Sequence, residues 1–125
     1  MARILVVDDD ENVRSVLTVL LRRRGFEVLE AVNGVKALRV LQSSAVDLVI
    51  TDVVMPDMEG LETIRRMRAA GQTRIIAISG SGGDLKYLDY AAKLGASATF
   101  AKPFAPPELL AAVQHLLAES PALTA

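Results

Sequence analysis

Three carboxylates, one hydroxyl and one primary amine stand where short apolar runs stop: Asp8 and Asp9 after Ile4 to Val7, Asp52 after Leu48 to Thr51, Ser79 after Ile75 to Ile78, and Lys102 after Ala98 to Ala101. Converging carboxylate oxygens are ligands for a hard cation, while an ammonium and a hydroxyl donate to the oxygens of an anion such as phosphate. Asp10 is the natural N-cap of the helix that follows, which leaves Asp8 and Asp9 beside Asp52. Like charges about 4 Å apart repel by about 4 kcal/mol at an effective dielectric of about 20, so this set needs a compensating cation. Mg²⁺ fits the donors best, because it uses one or two carboxylates, keeps several waters and meets phosphate oxygens; calcium prefers a fuller cage.

That grouping requires a fold that brings the ends of separate strands to one edge. Five apolar runs alternate with five segments of helical periodicity, the pattern of a parallel α/β sheet covered on both faces. The runs are Ile4 to Val7, Phe26 to Ala31, Leu48 to Thr51, Ile75 to Ile78 and Ala98 to Ala101. Four are continuously apolar, as strands buried on both faces should be, whereas Glu27 and Glu30 place the second at an edge. The helical faces are Val13, Val16, Leu17, Leu20 and Leu21; Val35, Leu38 and Leu41; Leu61, Ile64 and Met67; Leu85 and Leu88; and Leu109, Leu110, Val113, Leu116 and Leu117. Gly25 stops the first helix, and Pro106 and Pro107 suit the first turn of the last. Right-handed crossovers put every strand's C-terminal end on the same edge, so the polar residues after the runs converge in the crevice where such sheets bind ligands.

The chain has 125 residues, 51% hydrophobic and 23% charged, which suits one globular domain and excludes intrinsic disorder. A net charge of -1 gives no bulk attraction to nucleic acid or to an anionic membrane. The absence of cysteine excludes disulfides, thiolate metal sites and thiol catalysis. No apolar run is long enough for a signal or membrane segment, so a cytoplasmic location is expected. Gly80, Gly82 and Gly83 form a hinge-like loop without the G-x-x-x-x-G-K-[ST] string of a phosphate-binding P-loop. His115, the sole histidine, reads as a helix-surface residue, and Tyr87 and Tyr90, three apart, read as helix packing.

Ile-Leu-Val-Val-Asp-Asp-Asp at 4–10, Asp52-Val53-Val54-Met55-Pro56 with Gly60, Ser79-Gly80, Gly95-Ala96 and Lys102-Pro103-Phe104 together resemble the receiver domains of bacterial two-component response regulators, specifically the small single-domain chemotaxis type. The resemblance spans nearly the whole chain. It implies a flavodoxin-like, doubly wound sheet of five parallel strands in the order 2-1-3-4-5 with five helices on its two faces. The receiver domain would cover residues 1–120, with a flexible tail at 121–125 and no effector domain. Asp52 would be the phosphoryl acceptor; Asp9 would bind Mg²⁺ directly, Asp8 directly or through water, and the carbonyl of Val54 would be a further ligand. Ser79 would hydrogen-bond a phosphoryl oxygen, Lys102 would pair with the phosphate, and the Lys102–Pro103 bond would be cis. Implied partners are a sensor histidine kinase or histidine phosphotransfer protein and a downstream protein target, with no nucleic acid and no membrane, the protein being a monomer or a weak phosphorylation-dependent dimer. Its only catalysis would be its own aspartyl phosphorylation and dephosphorylation.

Two features depart from the family. Where receivers carry Tyr or Phe, three residues before the lysine, this chain has Thr99, a stiff and small side chain in place of a rotating ring. About one extra residue also separates Ser79 from Gly95, near Ser81-Gly82-Gly83. Two other functions compete: a degenerate receiver acting as a constitutive interaction module, and an aspartyl-nucleophile phosphohydrolase. The hydrolase carries a second Asp two residues after the first, where this chain has Val54. Flavin or dinucleotide binding would need a Gly-rich turn where Asp8-Asp9-Asp10 stands.

Overall fold

The computed structural model describes residues 2–53, 60–71, 73–79 and 86–118, the side chains of Lys86 and Tyr87 excepted. Strands and helices alternate as the periodicity requires: β1 (Arg3–Val7), α1 (Glu11–Arg23), β2 (Glu27–Ala31), α2 (Gly34–Ser43), β3 (Leu48–Asp52), α3 (Gly60–Ala70), β4 (Arg74–Ser79), α4 (Lys86–Leu94), β5 (Ala98–Ala101) and α5 (Pro106–Ala118). The strands form one parallel sheet in the order β2-β1-β3-β4-β5. The tail at 121–125 and the glycine loop at 80–83 lie outside the described residues.

Pleating divides the apolar runs between two cores. Ile4, Val6, Leu48, Ile50, Ile76 and Ile78 pack with Leu17, Leu21, Leu109 and Val113 of α1 and α5. Leu5, Val7, Val49, Ile75 and Ala77 pack on the other face with Ala37, Ile64, Met67 and Ala91 of α2, α3 and α4. Both layers hold the central strands rigid, and the site residues extend from those strands.

Helix starts follow local chemistry. The Asp10 carboxylate accepts from the amides of Asn12 at 2.8 Å and Val13 at 3.4 Å, capping α1, and Asn33 caps α2 by accepting from the Lys36 amide at 2.9 Å. Gly25, at φ 89°, takes the left-handed conformation that ends α1 and turns the chain into β2.

Five expectations need correction. β5 is the second edge strand rather than a strand buried on both faces: it pairs only with β4, which leaves Ala98, Thr99 and Phe100 half-buried and Ala101 exposed. Val16 is 54% exposed, because α1 meets the sheet through Val13, Leu17 and Leu21 and position 16 is rotated 100° away from Leu17. Val35 is 38% exposed for the same reason, α2 packing through Ala37, Leu38 and Leu41. Tyr90 is 49% exposed, since α4 docks through Ala91 and Leu94 instead. The second strand starts at Glu27, with Phe26 packed against the core just before it. His115 is exposed on α5, as expected.

Candidate functional site

Strand register assembles the polar groups. Val7 of β1 pairs with Thr51 of β3, so the next residues, Asp8 and Asp52, leave the two central strands side by side. Asp52 pairs with Ile78 of β4, and Ser79 pairs with Ala101 of β5, after which the chain reaches Lys102. Asp52 and Ser79 are thus the last residues of their strands rather than the first beyond them. Ladder bonds continue one step past the strand ends: the amide of Asp8 donates to Ala31 O at 3.2 Å, Val53 to Ile78 O at 2.9 Å and Lys102 to Ser79 O at 2.7 Å. Backbone, not side-chain contact alone, sets the positions of the functional groups.

Lys102 closes the group. Its Nζ donates to Asp8 Oδ2 and to Asp52 Oδ2, each at 3.0 Å, joining positions 94 and 50 residues away in the chain. Its side chain is 17% exposed, against 1% for Asp8 and 7% for Asp52, so this is a largely buried ion cluster and not the ordinary solvated lysine. The Lys102–Pro103 bond is cis. Asp9 is exposed, yet it brings a carboxylate oxygen to the cluster: one oxygen from each of Asp8, Asp9 and Asp52 lies within 4.8 Å of the others. Ser79 is 2% exposed, and its Oγ has no hydrogen-bond partner among the described residues. An orphaned buried hydroxyl costs about 1–3 kcal/mol unless something else is there to accept or donate.

Burial is the largest influence on both titrating groups. It pushes the Asp8 carboxyl above its ordinary value, with the Asp52 charge acting the same way; the Asp10 amide, which donates to Asp8 Oδ1 at 2.9 Å, and Lys102 only partly offset this. Burial alone would lower Lys102, but the hydrogen bonds and charges of Asp8 and Asp52 outweigh it and hold the ammonium above its ordinary value. Three carboxylates against one ammonium leave the site short of positive charge by two units, and each of the three offers a carboxylate oxygen as its ligand atom. The residues therefore fit a divalent oxygen-seeking cation, of which Mg²⁺ is the type that leaves positions open for another ligand.

Of the residues expected at the site, Asp8, Asp9, Asp52 and Lys102 are brought together and Ser79 ends the adjacent strand. Val54 lies outside the described residues. Thr99 is half-buried in mid β5, paired with Ala77.

Two residues have structural roles here that sequence reasoning did not find. A Cβ on Gly60 would overlap the carbonyl oxygen of Asp52 and Cα of Val53 and lie 2.7 Å from the Val53 carbonyl carbon, all backbone atoms that cannot swing aside. α3 therefore begins hard against the strand end that carries Asp52, with the Gly60 amide donating to Val53 O at 3.1 Å. Gly60→Ala is expected to cost about 1–3 kcal/mol of stability, read as a lower urea midpoint; a parental midpoint would show that the α3 start yields freely. The second residue is Arg14 on α1, whose Nη1 donates to the Asp8 carbonyl at 2.8 Å. A helix-surface arginine gives no sign of such a contact in sequence, since the bond depends on how the turn at 8–10 folds.

Comparison with known proteins agrees with this geometry. The family described as response regulator receiver domain matches residues 4–114. The transcriptional regulatory protein CpxR of Klebsiella pneumoniae is 39% identical over 120 residues, 96% of this chain and 51% of its own length. Sporulation initiation phosphotransferase F of Bacillus subtilis is 33% identical over 115 residues, 92% of this chain and 93% of its own. The chain spans about half the length of CpxR and nearly all of the sporulation protein. Among solved structures, chemotaxis protein CheY4 of Vibrio cholerae superposes with a TM-score of 0.84 at 32% identity, covering 93% of this chain and 98% of its own.

Proposed function

The chain belongs to the response regulator receiver domain family, and from that membership we propose that it is a phosphorylation-controlled signalling module that accepts a phosphoryl group on Asp52 from a histidine kinase or histidine phosphotransfer protein. The observation that carries this reading is the Lys102 ammonium held 3.0 Å from both Asp8 and Asp52 at the sheet edge, where β4 ends in the buried Ser79.

The chemistry follows from the groups present. An Asp52 carboxylate oxygen attacks phosphorus in line; the new O–P bond forms as the P–N bond to the donor imidazole breaks, and the imidazole keeps the electron pair. Lys102 neutralises charge on the transferring group, and Ser79 Oγ, without a partner among the described residues, hydrogen-bonds a phosphoryl oxygen. Asp8, Asp9 and Asp52 would hold Mg²⁺, with the carbonyl of Val54 as a further ligand by family resemblance. Bound there, Mg²⁺ supplies charge neutralisation to the phosphoryl oxygens. The product acyl phosphate carries a charge of about -1.5 to -2 where the carboxylate carried -1, and it places three phosphoryl oxygens near Ser79 and Lys102, the group that would bias α4, β5 and α5 toward a second arrangement. Thr99 cannot contribute the rotating ring that serves relatives, so the readout rests on groups other than the side chain at that position.

The near-neutral charge of the domain supports protein partners rather than nucleic acid. Among the described residues no helix is long and apolar enough to cross a membrane; a cytoplasmic site of action accords with that and with a kinase partner. The retained acidic cluster and lysine favour phosphorylation over a constitutive interaction role.

The test is intact-mass measurement after incubation with Mg²⁺ and a small-molecule phosphodonor. One phosphoryl group, acid-stable and base-labile, is expected, and none in chelator. Modification at full extent in chelator would overturn the reading. Asp9→Ala is expected to weaken Mg²⁺ binding and slow phosphorylation while leaving stability within about 0.5 kcal/mol, because Asp9 is exposed. Titration calorimetry with thermal denaturation checks this, and an unfolded variant would make Asp9 a structural residue.

A further inference from the structure

Asp8 is fixed at every polar group it has. Its amide donates to Ala31 O at 3.2 Å, its Oδ1 accepts from the Asp10 amide at 2.9 Å, and its Oδ2 accepts from Lys102. Its carbonyl is held by a second side chain, that of Arg14. The chain leaves the sheet at this residue, so no strand supplies a donor, and Arg14 Nη1 takes that place at 2.8 Å. Arg14 is itself held: its side chain is 14% exposed, and its Nε lies 3.5 Å from Glu30 Oε1 on β2. Its backbone amide makes the first helical bond of α1, to Asp10 O at 3.1 Å, so the side chain starts from a fixed backbone.

A carbonyl fixes more than itself. The C=O of Asp8 and the N–H of Asp9 belong to one rigid peptide plane, so holding the oxygen sets the direction in which the Asp9 Cα and carboxylate leave the turn. We infer that Arg14 is a positioning residue for the acidic site: through the Asp8 carbonyl, it sets the plane shared by Asp8 and Asp9 and hence the separation of their carboxylates. This inference rests on the reading of those carboxylates as Mg²⁺ ligands.

The sign of the effect separates positioning from simple charge. Arg14 is a cation beside a cation site, so its removal should by Coulomb's law tighten Mg²⁺ binding. Loss of positioning should weaken it, since removing an outer partner of a metal ligand typically costs about 10–100-fold in affinity. The experiment measures Mg²⁺ affinity by titration calorimetry, with thermal midpoints, on the 125-residue protein and on Arg14→Gln, Arg14→Lys and Arg22→Gln. Arg22 makes a similar contact from the far end of α1, Nη2 to Val28 O at 3.4 Å, and serves as the structural control. Arg14→Gln is expected to bind Mg²⁺ about tenfold more weakly. Arg14→Lys keeps the charge but cannot span the Asp8 carbonyl and Glu30 together, and should fall between. Arg22→Gln should lower the thermal midpoint alone. Equal or tighter binding by Arg14→Gln, or an equal loss in Arg22→Gln, would overturn the inference. If Arg14→Gln does not fold, Arg14→Lys decides: weakened binding at unchanged charge supports positioning, and parental affinity refutes it. Absence of Mg²⁺ binding by the parent protein would instead overturn the reading of the site, and this inference with it.

Discussion

Asp52→Asn is expected to take up no phosphoryl group under conditions that modify the parent protein, while its stability stays within about 1 kcal/mol of the parent. The loss is total because a carboxamide offers no anionic oxygen to attack phosphorus, and no other carboxylate stands in its place. Asp8 is fixed by the Asp10 amide and Lys102, and Asp9 is exposed at the rim. Stability changes little because two effects oppose each other. The charge-assisted bond from Lys102 to Asp52 Oδ2 becomes a neutral one, but the repulsion between the buried Asp8 and Asp52 carboxylates disappears. Intact mass and urea denaturation give both readings. Residual modification at the parental rate would move the acceptor elsewhere, and an unfolded variant would make Asp52 a structural residue.

Lys102→Ala should be the most destabilising change at the site in metal-free buffer, by about 3 kcal/mol, the low end for breaking a buried pair, because Lys102 keeps 17% exposure. The cause is what remains: Asp8 and Asp52 would face one another with no cation between them. The loss should depend on pH. The Asp8 carboxyl is already raised above its value of 3.8, and removing the ammonium raises it further. A carboxyl whose folded pKa exceeds its unfolded one weakens the fold wherever it is ionised, so the variant should recover stability as pH falls through that raised value. The parent behaves differently at the alkaline end: Lys102 is held above its usual 10.5, so its contribution is intact at neutral pH and is lost as pH rises from 10.5 through the raised value. Mg²⁺ should restore more stability to the variant than to the parent, since ligand binding to the folded state stabilises it in proportion to affinity and the variant site carries the larger negative charge. Denaturation in chelator and in Mg²⁺, at neutral and mildly acidic pH, tests each point. Parental stability in chelator at neutral pH would show that the ammonium does not compensate the two carboxylates.

Much of the architecture was legible before any coordinates. Alternating buried runs and helical segments specify a parallel sheet because each element must cover the next, and right-handed crossovers leave its strand ends on one edge. From that alone, Asp8, Asp9, Asp52, Ser79 and Lys102 belonged to one place, and Asp10 was recognisable as a cap because its oxygen serves amides two or three residues on. Local rules are readable in local sequence.

What sequence could not settle depends on relations between distant backbones. Val16 and Val35 look like core residues by periodicity, yet the angle at which each helix meets the sheet leaves them outside. β5 is as apolar as an inner strand, but its position at the rim follows from strand order. Gly60 appears in sequence as a motif glycine; only the seating of α3 on the carbonyl of Asp52 shows why nothing larger fits. Arg14 reads as a solvated helix residue until the turn at 8–10 presents a carbonyl to it. The chain itself therefore determined which chemical groups share an edge, because strand direction and pleat are encoded a few residues at a time. Tertiary structure alone decided which of them touch, since a contact of 3.0 Å between Lys102 and residues 94 and 50 positions away depends on the register of four strands at once.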